Sequence, residues 1–301
     1  MPIPAAPLDS SDVPSTLLVL FRQLHDQLRD ELRALSDEAL NWAPTSGANT
    51  IATIDTNLVG SEAETLQCVA GVECVRDRGA EFLVDRLALG QVLDLLSGAD
   101  GLLDQLQPLI DESRLGATFS LPTLPPEEVR SGVTWLVGNY GHAREHVGQV
   151  QLTKQLFLAS TEDRRAEVDR VVATVIAWAK TQSNVRAIGL AGSWARGRPS
   201  IDSDLDLVVL VTKKHDYVTN ADWVPLASGS SGRLVHTKEW GPLTERRIEL
   251  PSGLEVEYGF APTDWASIDP VDSGTLRVIS DGFQVLYDPD SLLARLVQAI
   301  R

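Results

Sequence analysis

The sequence predicts two domains: an N-terminal four-helix bundle over residues 1–160, then an α/β domain with a mixed β-sheet over residues 161–301. In the first part, apolar residues recur at helical spacing in four long segments. In the second part, short β-branched runs alternate with turns and a few helical segments. A polar, charged stretch at residues 161–165 marks the boundary, and the chain is long enough to bury two cores.

The four helices of the bundle are predicted at residues 13–35, 50–70, 86–110 and 127–157. Asn49 is the expected N-cap of the second helix, and residues 36–44 form a short capped turn. Three prolines mark a loop before the fourth helix: Pro122, Pro125 and Pro126. Four helices with one long connection indicate an up-down bundle.

The second domain is expected to begin with a helix at residues 165–180, whose apolar positions follow helical spacing. Strands are predicted at residues 185–190, 205–212, 233–237, 246–250, 254–260 and 282–287, with helices at 270–279 and 291–300. Arg246 and Arg247, at the start of one of these strands, are interpreted as structural.

The composition limits the class of partner. The formal net charge is −16, and the first 158 residues carry 22 acidic against 10 basic side chains. A chain this acidic, without a basic stripe, does not favour binding to an extended nucleic acid. A small acceptor fits better, and a cationic one such as an aminoglycoside would be attracted.

The expected location is the cytoplasm. No apolar run approaches the roughly 18 residues of a membrane helix, so no membrane partner is expected. Residues 1–7 lack the basic region and apolar core of a signal peptide. Cys68 and Cys74 form no disulfide framework and are expected to be free thiols. The sequence leaves the oligomeric state open.

The segment from Gly192-Ser193 to Asp204-Leu205-Asp206 carries most of the predicted chemistry. Two carboxylates with one residue between them lie on the same face of a strand, and the run that follows is apolar like a buried strand. The glycine allows close approach of the backbone to a polyanion, and Ser193 adds a hydroxyl group. Paired carboxylates beside such a turn are typical of a two-Mg²⁺ phosphoryl-transfer or nucleotidyl-transfer site.

This glycine-serine turn, spacer and D-x-D pair resemble the DNA polymerase β-like nucleotidyltransferase superfamily, over roughly residues 168–293. The resemblance implies that Gly192 and Ser193 hold the β- and γ-phosphates of a nucleoside triphosphate, with ATP the expected nucleotide. It implies that Asp204 and Asp206 bind two Mg²⁺ ions.

The family usually adds a third carboxylate from a later strand, which points to residues 253–260. Glu255 and Glu257 share a face there. Glu257 is the favoured ligand, and Glu255 is the alternative ligand or the base for the acceptor hydroxyl. Arg196 and Arg198 lie in the loop after the turn, where guanidinium groups suit phosphate oxygens, although a solvated turn explains them equally well.

The expected activity is therefore Mg²⁺-dependent transfer of a nucleoside monophosphate from a nucleoside triphosphate to a hydroxyl of a small molecule or a protein, with release of pyrophosphate. A nucleotide-binding sensor without turnover is a further alternative. Intact Asp204 and Asp206 favour catalysis over sensing.

The helical part has its own resemblance, to the DinB/YfiT-like superfamily, at residues 51–62 and 142–150. That family binds a divalent metal with one histidine from the second helix and an H-x-x-x-H pair from the fourth. His142 and His146 match the pair, but Asn57 occupies the place of the third histidine, and an amide oxygen is a poor ligand for zinc or nickel. The alternative function is a DinB-type thiol- or metal-dependent transferase with a regulatory nucleotide-binding domain. The pair is otherwise explained as hydrogen-bonded bundle residues.

Overall fold

The computed structural model describes residues 12–300. The chain divides into two compact units, Met1–Ala159 and Ser160–Arg301. Residues 1–7, where the sequence predicts no signal peptide, lie outside the described part. Within residues 12–300, no helix combines the length and apolarity needed to cross a bilayer.

The first unit is built from four long helices and several short elements. They are α1 (Val13–Leu32), α2 (Asp37–Asn41), α3 (Ile51–Ala70), α4 (Arg78–Glu81), α5 (Leu89–Leu106), a 3₁₀ turn (Gln107–Leu109), α6 (Glu112–Gly116), the paired strands β1 (Thr118–Phe119) and β2 (Arg130–Ser131), and the start of α7 (Gly132–Thr181). Side chains from α1, α3, α5 and α7 pack into shared apolar clusters, as the amphipathic spacing predicts.

Two details of the predicted helices are corrected. Thr50, not Asn49, caps α3, because its side chain accepts a hydrogen bond from the Thr53 amide. The predicted helices at 127–157 and 165–180 merge into one helix, Gly132–Thr181, which begins after the strand Arg130–Ser131 and not at residue 127. The stretch between them contains no glycine or proline, so its polarity alone does not end a helix.

The second unit is a six-stranded mixed sheet with helices. Its elements are β3 (Val185–Leu190), α8 (Gly192–Ala195), β4 (Leu205–Val211), α9 (His215–Val218), α10 (Val224–Ser228), β5 (Arg233–Trp240), β6 (Leu243–Glu249), β7 (Glu255–Pro262), a 3₁₀ turn (Thr263–Ala266), α11 (Ser273–Ser280), β8 (Gln284–Tyr287) and α12 (Leu292–Ile300). The strand order is β5-β6-β7-β4-β3-β8, in which β4 and β7 are parallel and the other neighbours are antiparallel. The predicted mixed sheet is confirmed.

Strand β4 separates two apolar clusters. Leu205, Leu207 and Val209 belong to the cluster that includes the end of α7, whereas Val208 and Leu210 belong to the cluster that includes α11 and α12. Because alternate residues face opposite sides, Asp206 lies on the Val208 side of the sheet.

The hairpin of β5 and β6 is longer than predicted. The sequence predicts strands at 233–237 and 246–250, but pairing extends to Trp240 opposite Leu243. Gly241 and Pro242 form a two-residue turn, and Gly241 has a φ of +60°, a conformation that glycine adopts without steric cost. This turn fixes the register of β5 against β6.

Candidate functional site

Three carboxylates converge on neighbouring strands β4 and β7. The parallel register places Asp206 opposite Glu257. Asp204 directly precedes β4 and shares the face of Asp206, since it is two residues away. The apolar residues between and beside them face the other side of the sheet, where they are buried, so the packing of the core aims these acidic side chains together.

One oxygen of each of Asp204, Asp206 and Glu257 lies within 4.8 Å of the others. Across residues 12–300, no other group of three or more His, Cys, Asp or Glu side chains meets this spacing. Burial and the neighbouring Asp204 carboxylate raise the pKa of Asp206 to about 6, and Arg247 opposes the shift. An all-oxygen set of this kind suits Mg²⁺.

The Gly192–Ser193 turn packs directly on this cluster. Gly192 has a φ of +68°, and a Cβ atom there would collide with Oδ2 of Asp206. The turn therefore requires glycine both for its backbone angle and for its close approach to the carboxylate. The Ser193 hydroxyl is buried and has no hydrogen-bond partner within the described residues.

The structure places the two loop arginines differently. Arg196 donates from Nη1 to Oδ2 of Asp281 at 2.6 Å and to the Asp281 carbonyl oxygen at 3.2 Å. Arg198 is exposed, and its backbone amide donates to the Ser193 carbonyl oxygen at 3.1 Å. Arg196 thus has an intramolecular anion, whereas the guanidinium of Arg198 faces solvent.

Arg247, interpreted from the sequence as structural, lies within the cluster. It stands opposite Glu257 in the antiparallel pair of β6 and β7. Its Nη2 contacts Oε1 of Glu257 and lies 3.2 Å from Oδ2 of Asp204. Its Nη1 donates to Oε2 of Glu255 at 2.6 Å. The alternation of side-chain faces along β6 is the sequence signal for its position. The register that aligns Arg247 with Glu257 cannot be predicted from the sequence of β6 alone.

Glu255 and Glu257 take different positions. Glu257 belongs to the close group, with its side chain 16% exposed. Glu255, at the first position of β7, stands opposite Glu249 and does not belong to the group. Its side chain is 36% exposed, so it faces solvent beside the cluster.

A cleft of about 910 Å³ opens beside Asp206 and Glu257. Its lining includes three further carboxylates, from Glu239, Glu245 and Asp272, against one basic side chain, Arg277. Both Trp240 and Trp265 contribute apolar surface to its wall. A cleft of this composition suits a polar molecule that carries positive charge.

The histidine pair of the first unit is engaged in hydrogen bonds. Nε2 of His146 lies 3.1 Å from Nε2 of His142 and 3.2 Å from Oδ1 of Asn57. The amide of Asn57 donates to Oε2 of Glu81 at 2.8 Å. Burial and the neighbouring His146 lower the pKa of His142, which favours a neutral imidazole.

A guanidinium group lies next to this pair. Arg76 forms two parallel bonds to Glu81, each 2.7 Å long, and a 2.9 Å bond to Oε2 of Glu64. The side chains of Arg76, Glu64 and Glu81 are at most 10% exposed. A buried, fully paired cation therefore neutralises the acidic groups beside Asn57.

No protein-family model and no curated protein matches the chain. Solved structures that are similar to it include the following two. A conserved protein from Enterococcus faecalis is 16% identical with a TM-score of 0.39, and the match covers 48% of this chain and 96% of that one. YfiT from Bacillus subtilis, described as a probable metal-dependent hydrolase with an unusual four-helix bundle topology, is 14% identical with a TM-score of 0.41, and the match covers 50% and 92%. Each match therefore spans about half of this chain.

Proposed function

We propose that the second unit transfers a nucleoside monophosphate from a nucleoside triphosphate to a hydroxyl group and releases pyrophosphate. The observation that carries the proposal is the group formed by Asp204, Asp206 and Glu257, whose oxygens lie within 4.8 Å of one another. The group lies against the Gly192–Ser193 turn, as the nucleotidyltransferase resemblance implies. The acceptor is a small aminoglycoside-like molecule or a protein hydroxyl.

The residues present fit divalent metal ions. Carboxylate oxygens are the ligands that Mg²⁺ prefers, and these three side chains point into one space. The unpartnered Ser193 hydroxyl is available to a phosphate oxygen, and the glycine at position 192 leaves room that a Cβ atom would fill. When bound, the ions neutralise charge on the triphosphate and acidify the acceptor hydroxyl.

The chain's own residues then have distinct roles. Asp204, Asp206 and Glu257 would hold the metal ions through their carboxylate oxygens. The acceptor oxygen bonds to the α-phosphorus, the bond from that phosphorus to the bridging oxygen breaks, and pyrophosphate leaves. Glu255, which is close by and more exposed, accepts the proton of the acceptor hydroxyl.

The acidic cleft supports the choice of acceptor. With Glu239, Glu245 and Asp272 on its walls, it attracts a cationic acceptor and disfavours an extended nucleic acid. Trp240, which is 54% exposed, supplies apolar surface on which a sugar ring can pack. These features favour an amino sugar over a nucleic acid.

The test is a transfer assay with Mg²⁺, each α-labelled nucleoside triphosphate, and a panel of aminoglycosides and protein acceptors. We expect label in an acceptor and stoichiometric pyrophosphate, and Asp206→Ala should abolish both because two carboxylates cannot hold the ions. Asp290→Asn is the matched control, since it removes an exposed carboxylate that pairs with Arg186. Undiminished transfer by Asp206→Ala would contradict the assignment.

A second candidate function locates the chemistry in the first unit, as a DinB-type thiol- or metal-dependent transferase. The observation that favours it is a cavity of about 320 Å³ lined by Asn57, Arg76, Asn139 and His142 among others. The carboxamide of Asn57 and the buried Arg76 occupy the space beside the histidines, so we expect no stoichiometric zinc or nickel in purified protein. Elemental analysis that finds one tightly held metal per chain, with loss on His142→Ala, would favour this second function instead.

A further inference from the structure

Arg247 contacts two of the three carboxylates that could hold a metal ion. Its Nη2 contacts Oε1 of Glu257 and lies 3.2 Å from Oδ2 of Asp204, and both residues belong to the close group of three. We propose that Arg247 is an exchangeable counter-ion of this cluster, which yields the oxygens to a divalent cation and then pairs with the triphosphate. The cluster would thus take up metal together with the nucleotide rather than alone. This inference rests on the proposed function.

Arg247 and a divalent cation compete for the same carboxylates. A carboxylate has two oxygens with about four lone-pair sites, so the contacts of Arg247 with Asp204 and Glu257 do not by themselves block an ion. A guanidinium group left in place would, however, repel the ion across a few ångströms. Metal binding therefore favours displacement of the Arg247 side chain from the cluster.

The surroundings of Arg247 permit that movement. Its side chain is 28% exposed, and its Nε atom is buried without a partner within the described residues, so the head group is held through its two terminal nitrogens only. It also borders a second cavity of about 420 Å³, lined by His236, Lys238 and Trp240 among others. This space can receive the displaced side chain.

Arg76 in the first unit shows the contrasting case. That guanidinium is 8% exposed, uses Nε and both terminal nitrogens, and is fixed by two buried carboxylates. Arg247 has neither the burial nor the complete set of bonds. The same ion-pair chemistry is therefore permanent in one unit and exchangeable in the other.

A triphosphate completes the exchange. Once Asp204 and Glu257 bind metal, Arg247 keeps only Glu255 as an anionic partner, and phosphate oxygens are strong replacements for the two lost carboxylates. Each step favours the other, since the metal frees Arg247 and the triphosphate stabilises it in its new position. Metal and triphosphate should therefore bind cooperatively.

The test measures Mn²⁺ binding by electron paramagnetic resonance, with and without a non-hydrolysable nucleoside triphosphate analogue. Free of analogue, Arg247→Gln should bind Mn²⁺ at least about tenfold more tightly than wild type, because the competing charge is gone. Arg247→Lys should fall between them. The analogue should tighten Mn²⁺ binding by wild type. The difference in Mn²⁺ affinity between Arg247→Gln and wild type should therefore become smaller.

Arg277→Gln is the matched control, because Arg277 lines the same cleft as Asp206 and Glu257 but is not among the residues bonded to the cluster. Equal tightening by both glutamine variants would reduce the effect to net charge and overturn the proposal. Unchanged Mn²⁺ affinity in Arg247→Gln would also overturn the proposal, provided that the circular dichroism spectrum of the variant matches that of wild type. Failure of the proposed function gives a different result: the Mn²⁺ pattern persists, but no nucleotide is transferred to any acceptor.

Discussion

At the scale of single residues, the contact between Gly192 and Asp206 is the most demanding feature of the candidate site. The backbone at position 192 has a positive φ and lies directly against a carboxylate oxygen. A side chain there would have to displace the carboxylate, the turn or both. The site therefore depends on a residue that has no side chain.

Gly192→Ala should reduce transfer and Mn²⁺ affinity by more than about tenfold, while the strained backbone angle costs about 1–2 kcal/mol of stability. Gly253→Ala is the control, since Gly253 also has a positive φ of +81° but has open space around its Cβ position. Calorimetric unfolding of both variants measures the cost of the strained backbone angle. Mn²⁺ titration of both variants measures the effect of the collision with Asp206. If Gly253→Ala lost as much Mn²⁺ affinity, the contact with Asp206 would not be the cause.

The sequence predicts single residues of the candidate site well where the pattern is local. The alternation of side chains along a strand is sufficient to place Asp204 with Asp206 on one face. It does not reveal Arg247, because that residue reaches the cluster only through the register of β6 against β7. The register of β6 against β7 depends on the turn at residues 250–254 that joins them and on core packing, which no short motif records.

At the scale of elements, the helices and strands follow from periodicity, but their ends do not. Helix α7 continues through residues 158–165, since a polar stretch without glycine or proline satisfies the helical backbone as well as an apolar one does. The predicted break was wrong for this reason. Strands β5 and β6 are longer than predicted because the tight turn between them allows strand pairing to continue up to the turn itself.

The contact between α3 and α4 depends on Arg76. Because Glu64 and Glu81 are buried, Arg76→Gln would leave two buried carboxylates without a cation and should cost about 3–5 kcal/mol of unfolding free energy. Arg130→Gln, which removes an exposed pair with Glu128, should cost less than about 1 kcal/mol. Urea unfolding of both variants gives the comparison, and equal midpoints would show that the Arg76 network does not stabilise the unit.

Asp55 on α3 makes the first unit sensitive to pH. Both of its carboxylate oxygens are buried without a partner in the described part of the chain, and burial raises its pKa to about 8. The folded state thus holds this proton more tightly than the unfolded state does. The resulting stabilisation is complete below the ordinary pKa of an aspartate and is lost as the pH rises towards 8.

Asp55→Asn should therefore flatten the loss of stability between pH 5 and pH 8, by on the order of a few kcal/mol at the upper end. Amide hydrogen exchange along α3 at both pH values measures the effect in the relevant unit. Parallel pH profiles for the variant and wild type would mean that the Asp55 proton is not linked to folding.

At the scale of the whole molecule, net charge affects which partners the protein attracts, whereas sheet topology determines which residues meet at the candidate site. The net charge of −16 predicts weak affinity for polyanions, and the charge pattern says nothing of the fold. The mixed sheet follows from local strand signals, whereas its order, β5-β6-β7-β4-β3-β8, depends on long-range pairing. This order makes β7 the neighbour of β4 and so forms the carboxylate cluster.

The most direct test of the central claim follows phosphorus from a defined position of the nucleotide. Wild-type protein is incubated with Mg²⁺, an aminoglycoside panel, and nucleoside triphosphate labelled at either the α- or the γ-phosphate, alongside Asp204→Ala. We expect α-label to enter the acceptor and γ-label to leave in pyrophosphate, and we expect Asp204→Ala to transfer neither label. Transfer of γ-label to the acceptor, or full α-label transfer by Asp204→Ala, would contradict the proposed function.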